Sequence, residues 1–246
     1  MWGKPKCPID PEAAQWVEAS LSWLGAAFGA NRLHGPVILP TDEFFPGAYA
    51  GTESDVRQVF GMLCAHMGVD PARVDFVYEA ADPAEQELLA SLPAFGQRFA
   101  GAAGEYVRRN GRGVISVSAA QAADPMALVA TIAHELGHER LIGEGRIGVR
   151  ADEEQLTDLL TVYFGLGIFN ANAAFRYTGH AGGWRTSSLG YLSERTFGYA
   201  LAVYAQLRGE RKPAWARHVD PNPRAYLTKG LRYRWAAAER ESLWGL

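Results

Sequence analysis

Five consecutive residues, His134-Glu135-Leu136-Gly137-His138, have the residue types and the spacing of a metal site. Two histidines four positions apart project from the same face of an α-helix, so both rings can reach one metal ion. Glu135 then lies beside the open coordination position, where a carboxylate can accept a proton from a bound water. The pattern therefore predicts a zinc site for hydrolysis, with His134 and His138 as ligands and Glu135 as general base.

The residues before the pentapeptide predict the helix that it requires. Asp124 is a preferred N-cap residue, and Pro125 suits the first helical position. Gly143 is a candidate C-cap, so we expect the helix to end near it. A stripe of apolar residues at helical spacing leaves the histidines on another face, and consists of Met126, Val129, Ile132, Ala133 and Leu136.

A catalytic zinc ion usually has three protein ligands, so the site requires a third donor. The next acidic segment begins at Asp152, which together with Gln155 has the form of a capping box that opens a second helix. Glu154 and Asp158 are four positions apart and share one face of that helix. Glu153 is a rival ligand, but adjacent residues lie about a hundred degrees apart on a helix, so only one of the two glutamates can face the metal.

These residues resemble the pattern of the gluzincins, zinc peptidases of the thermolysin-like type, in which H-E-x-x-H is followed by E-x-x-x-D on the next helix. Glu154-Gln155-Leu156-Thr157-Asp158 matches the second part. The resemblance implies that Glu154 is the third ligand and that Asp158, behind the site, orients the ring of His134. It covers about thirty residues, and it departs from the pattern at Glu153, where thermolysin-like enzymes commonly have Asn.

Two further resemblances involve parts of the same region. Residues 156–172 are similar to a family of uncharacterised bacterial proteins that carry an H-E-x-x-H helix upstream, and this similarity implies no activity. The H-E-L-G-H helix also resembles intracellular metallopeptidases that cleave or control repressors. Neither resemblance extends over the first hundred residues.

The gluzincin resemblance implies an α+β, zincin-like fold that is mostly helical, with a small mixed sheet and an active-site H-E-x-x-H helix. We expect residues 1–246 to form a single zincin-like domain, with an N-terminal α/β portion at 1–100 and a helical portion with the metal site at 101–246. Periodicity predicts further helices at 11–28, 53–67, 189–207 and 224–243, and strands at 37–39, 73–78 and 113–118. Zincins pair extended substrate with an edge strand, and the strand at 113–118 is the candidate.

Peptide hydrolysis also needs a donor for the tetrahedral oxyanion. The glycine-containing segment 177–191 reads as a surface loop that leads into a helix, and loops of this kind often carry functional side chains. His180 and Tyr191 are the candidate catalytic donors, and Arg185 is a further one. A loop histidine, an aromatic residue at a helix entry and a solvated charge are the alternative interpretations.

Charge and cysteine content indicate the setting of the protein. The formal net charge is −3, and a basic run at 208–234 is better explained by a solvated helix face than by a nucleic-acid partner. Cys7 and Cys64 form no C-x-x-C unit, which is typical of reduced thiols. The chain begins without the apolar core of a signal peptide, and its longest apolar run, 159–169, is too short to span a bilayer. We expect a cytoplasmic protein without a membrane partner, while its oligomeric state stays open.

Two classes of function follow from these observations. The leading one is a zinc-dependent hydrolase, specifically a metallopeptidase, that acts on a peptide or protein substrate. The alternative is a degenerate, non-catalytic zincin that serves as a metal-binding regulatory or interaction protein. Glu135 favours the enzyme, because a site without catalysis does not require a base at that position.

Overall fold

The computed structural model describes residues 5–79, 104–178 and 192–244, and most of them are helical. The helices are α1 (Pro11–Phe28), α2 (Ala30–Leu33), α3 (Glu53–Met67), α4 (Ala119–Ala122), α5 (Pro125–His138), α6 (Glu153–Tyr163), α7 (Gly167–Thr178), α8 (Glu194–Leu207) and α9 (Pro221–Trp244). Strands β1 (Val74–Glu79), β2 (Glu105–Arg109) and β3 (Arg112–Ser118) form one mixed sheet. The predicted α+β class, mostly helical with a small mixed sheet, is confirmed.

The described residues belong to two compact units. The first contains the described parts of 1–39, 152–175 and 190–246, and the second contains those of 40–151 and 176–189. The predicted boundary at residue 100 lies outside the described residues. The division into an N-terminal portion and a metal-site portion therefore stays a prediction.

The sheet of the second unit has β3 at its centre. β1 pairs with β3 in parallel, from Val74 opposite Gly113 onward, whereas β2 pairs with it antiparallel. Asn110 and Gly111 join β2 to β3, and both have the positive φ that a two-residue hairpin turn requires. The prediction that the strand at 113–118 is an edge strand is wrong, because it is paired on both sides. Among the described strands, β2 is an antiparallel edge.

Helix α5 packs against α3 and against the sheet. Every residue of α5 from Leu128 to His138 is buried, the two histidines included. Helix α3 begins with a capping box between Thr52 and Asp55 and ends at Gly68 in the left-handed conformation. These local signals explain why the predicted boundaries of α3 are confirmed.

In the first unit, α8 lies against α9 and also packs on α1 and α6. Gly198 and Gly230 allow the approach of α8 and α9, since a Cβ on Gly198 would lie 2.4 Å from the carbonyl oxygen of Pro223. The predicted strand at 37–39 is wrong. Ile38 instead donates one backbone hydrogen bond of 2.9 Å to Gly165, whose φ of 82° accompanies the turn between α6 and α7.

The described residues contain no helix that is long and apolar enough to cross a membrane. Cys7 and Cys64 are both free, as the sequence predicted. Burial raises the pKa of the Cys64 thiol to about 12. This cysteine is therefore a protonated core residue at neutral pH rather than a reactive thiolate.

Candidate metal centre

Helix α5 begins as its sequence predicts. The side chain of Asp124 accepts a hydrogen bond of 3.1 Å from the backbone N–H of Ala127, and Pro125 occupies the first helical position. The helix does not run to a C-cap at Gly143, however. Its regular part ends at His138 and continues as a π turn, Glu139–Gly143, in which the N–H of Glu144 donates to the carbonyl of Glu139 at 2.9 Å.

The two histidines of α5 meet at their Nε2 atoms. These atoms are 3.1 Å apart, and the rings are oriented edge to face with 81° between their planes. A tetrahedral zinc ion with Zn–N bonds of about 2.0–2.1 Å places two ligand nitrogens about 3.3 Å apart. His134 is 4% exposed and His138 is 7% exposed, so the pair is a buried donor set whose spacing suits a single metal ion.

Glu154 supplies the third donor. Its carboxylate and the ring nitrogens of His134 and His138 offer ligand atoms that all lie within 4.8 Å of one another. Glu154 is half-buried, and within the described part of the chain the cluster includes it but not Glu153. Two imidazoles and one carboxylate form the protein ligand set of several catalytic zinc sites. The three side chains are therefore positioned to bind a metal ion.

Helix α6 carries Glu154, and its start differs from the prediction in one respect. Asp152 is the N-cap residue, but its side chain makes no capping hydrogen bond, so the predicted capping box with Gln155 is wrong. The Oδ2 atom of Asp152 instead accepts a hydrogen bond of 2.8 Å from the indole N–H of Trp16 in α1. Asp152 therefore bonds to a distant helix instead of capping its own helix.

Asp158 lies one turn after Glu154 on α6 and is 3% exposed. Its Oδ2 atom accepts a hydrogen bond of 2.8 Å from the backbone N–H of Leu192. A buried carboxylate with a backbone donor is well held in place. Its role behind the ring of His134 stays a prediction.

Glu135, the predicted base, is 4% exposed. The chain at Gly104, just before β2, passes close to it, since a Cβ on Gly104 would lie 3.2 Å from Cγ of Glu135 and 2.7 Å from Cγ2 of Thr131. Only glycine fits at position 104, because a side chain there would overlap Thr131 and crowd Glu135. Gly104 thereby brings the beginning of β2 next to the predicted base.

Sequence reasoning missed a group of residues beside His138. The ring of Tyr106 in β2 stacks on His138, with centroids 5.8 Å apart and 18° between the planes. The Tyr106 hydroxyl donates a 2.8 Å hydrogen bond to Oε2 of Glu139, and Arg73 lies 3.5 Å from Oε1 of Glu139. Burial, followed by the bond to Glu139, raises the pKa of Tyr106 well above its usual value, so the hydroxyl stays a donor.

The Glu139 carboxylate is only 3% exposed, and two glycines leave room for it. A Cβ on Gly143 would lie 2.1 Å from Oε2 of Glu139, and a Cβ on Gly113 would lie 2.7 Å from the same atom. The role of Gly143 is thus to accommodate a buried carboxylate rather than to cap α5. The left-handed glycine that follows the π turn is Gly145, with a φ of 68°.

Gly143→Ala is therefore expected to destabilise the protein by about 1–3 kcal/mol, because the added methyl group overlaps the Glu139 carboxylate. Urea unfolding followed by circular dichroism measures the change. The matched control is Gly61→Ala in α3, where no atom lies within 4 Å of the new Cβ. That variant should gain roughly 0.5–1 kcal/mol from helix propensity. Equal stability of Gly143→Ala and wild type would contradict the packing argument.

The predicted oxyanion donors His180 and Tyr191, together with Arg185, lie outside the described residues. Their roles stay predictions. The linear sequence offered no signal for Tyr106, since it stands in a short strand that alternation did not reveal. Glu139 directly follows the motif, but its burial depends on residues distant in the chain.

Comparison of the chain with protein-family profiles, with curated proteins and with solved structures finds no match in any of the three.

Proposed function

We propose that this protein is a zinc-dependent hydrolase that cleaves peptide bonds. His134, His138 and Glu154 would hold the zinc ion, and Glu135 would be the general base. The observation that carries the proposal is that these three side chains offer ligand atoms within 4.8 Å of one another, with a buried glutamate next to His134 on the same helix. Metal-assisted hydrolysis requires metal ligands, a general base and a site shielded from bulk water.

The zinc ion that His134, His138 and Glu154 would hold would supply a water with its pKa lowered to about 7 and would polarise the carbonyl of the substrate. A carboxylate oxygen of Glu135 accepts the proton of that water. The same oxygen then donates the proton to the nitrogen of the leaving amine. Because Glu135 is 4% exposed, bulk water competes little for this proton. Glu135 would thus carry the proton from a buried position beside the metal ligands.

Strand β2 takes the substrate role that the sequence had suggested for residues 113–118. Among the described strands it pairs only with β3, so its other edge suits an extended peptide that adds as a further strand. Its first residue, Glu105, follows Gly104, whose backbone lies next to Glu135. A peptide paired along β2 would therefore run close to the base. This arrangement supports a peptide as the substrate class.

Metal removal tests the proposal directly. We expect the purified protein to contain about one zinc ion per chain, measured by inductively coupled plasma mass spectrometry, because the cluster has the ligands for one ion. Treatment with a chelator should abolish cleavage of a peptide library, and added zinc should restore it. Added magnesium should not restore cleavage, because Mg²⁺ prefers oxygen ligands in octahedral geometry.

Two results would contradict the proposed function. A protein that purifies without metal and shows no affinity for zinc in isothermal titration calorimetry has no such site. A protein that binds zinc but cleaves no member of the library would instead be the non-catalytic metal-binding protein of the alternative interpretation.

A further inference from the structure

A polar group around one buried carboxylate adjoins the candidate metal centre and takes no part in the proposed reaction. It consists of Tyr106 in β2, Glu139 in the π turn after α5, and Arg73 just before β1. All three lie in the same compact unit as His138. Buried charges require compensation, so a carboxylate retained at 3% exposure needs an explanation.

The ring of His138 can rotate unless its neighbours hold it. The terminal torsion of a histidine side chain is soft, so contacts rather than covalent geometry decide the plane of the imidazole. Tyr106 supplies such a contact, because its ring lies nearly parallel to that of His138 at a centroid distance of 5.8 Å. Aromatic rings at such distances attract each other by about 0.5–1.5 kcal/mol beyond their buried area. Rotation of the imidazole would disrupt this contact.

Tyr106 is itself held in place at its hydroxyl. Its hydroxyl donates to Oε2 of Glu139 at 2.8 Å, so the ring is held at its far end as well as by packing. Glu139 is held in turn by Arg73 and by the space that Gly113 and Gly143 leave for its carboxylate. Glu139, which anchors the Tyr106 hydroxyl, directly follows the proposed ligand His138, so the two residues are adjacent in the backbone.

We propose that Tyr106 is a positioning residue for metal binding: its ring fixes the plane of His138, and its bond to Glu139 fixes the ring. The inference rests on the proposed zinc site. It assigns to an aromatic ring a task that hydrogen-bonding partners of metal-ligating histidines commonly perform. It also explains why a carboxylate is buried beside the motif although it is not a member of the ligand cluster.

The test measures zinc affinity by competition with a chromophoric chelator, at a temperature where each metal-free variant is shown to be folded by circular dichroism. Tyr106→Leu removes the stacked ring and the hydroxyl, and should weaken zinc binding by about 10–100-fold, as the loss of other ligand-orienting groups does. Tyr106→Phe keeps the ring and loses only its anchor, so it should weaken binding by less, about 2–10-fold. The visible spectrum of the cobalt-substituted protein should shift in Tyr106→Leu, because His138 changes its orientation.

The control is Tyr163→Phe. Tyr163 is a buried tyrosine that, like Tyr106, donates one hydroxyl hydrogen bond, here of 2.9 Å to the carbonyl of Gly29, but its bond belongs to the packing of α1 and α6. This variant should lower thermal stability without changing zinc affinity or the cobalt spectrum. A purely structural role of Tyr106 would produce the same result as the control.

Wild-type zinc affinity and an unchanged cobalt spectrum in Tyr106→Leu would overturn the inference while leaving the proposed function intact. Absence of zinc binding by the wild-type protein would overturn both. If Tyr106→Leu does not fold, Tyr106→Phe decides the matter, and wild-type zinc affinity in that variant would overturn the inference.

Discussion

Glu135→Gln is expected to reduce the kcat/KM of peptide cleavage by about 10²–10⁴-fold while zinc stays bound. Glutamine has nearly the same shape as glutamate but cannot accept the proton of the attacking water. The loss corresponds to about 2.7–5.4 kcal/mol of transition-state stabilisation. The measurement is the cleavage rate of the best peptide from the library, together with the zinc content of the same sample.

Glu53→Gln is the matched control for this experiment. It makes the same chemical change at an exposed glutamate in the first turn of α3, where Glu53 pairs with Arg57 on the surface. Surface ion pairs contribute little, so rate and zinc content should both match wild type. Undiminished cleavage by Glu135→Gln would remove Glu135 from the reaction. Loss of zinc from Glu135→Gln would show that the residue supports the metal rather than the proton transfer.

Replacement of a ligand is expected to have the largest effect on metal binding. His138→Ala and Glu154→Ala should each weaken zinc affinity by more than about 100-fold, the upper range for groups that merely orient ligands. Zinc should also stop stabilising these variants. At a concentration 100 times its Kd, a ligand of the native state raises the unfolding free energy by about 2.7 kcal/mol. Calorimetric titration measures the affinity, and thermal unfolding with and without zinc measures the stabilisation.

Glu153→Ala is the control for the third ligand. Glu153 is the adjacent residue of the same type in the first turn of α6, and it is not a member of the ligand cluster. Its variant should bind zinc like wild type. The opposite result, in which Glu153→Ala loses zinc and Glu154→Ala retains it, would assign the third ligand to Glu153. Wild-type affinity in His138→Ala would refute the metal centre itself.

Local signals account for the parts of the fold that were predicted correctly. Helices α1, α3 and α5 begin at Asp, Thr or Asp caps that the sequence displays, and apolar spacing marks their length. Strands β1 and β3 were visible as short apolar segments, and their observed bounds differ by one residue from the predicted ones. For the helices, the interactions that define the element lie within it or one turn from it, whereas β1 and β3 showed only their apolar pattern and pair with each other across the chain.

Non-local contacts explain the errors. Residues 37–39 have the composition of a strand, yet they find a single backbone partner at Gly165 instead of a neighbouring strand. Asp152 has the pattern of a capping box but bonds to Trp16 in α1. Gly143 has the position of a C-cap, but its lack of a side chain accommodates Glu139. For residues 37–39 and Asp152 the partner lies far along the chain. For Gly143 it is the nearby Glu139 carboxylate, which itself contacts the distant residues Tyr106 and Gly113.

The sequence by itself determined the core of the candidate metal centre, because the spacing of His134 and His138 on one helix is a local property of the backbone. It also proposed Glu154, and only the tertiary structure brought that carboxylate within 4.8 Å of the pair. The stacking of Tyr106 on His138 and the burial of Glu139 were decided by the tertiary structure alone. The physical reason is that these contacts join β2 to α5 and to the turn that follows it, and the bond between Tyr106 and Glu139 links residues 33 positions apart.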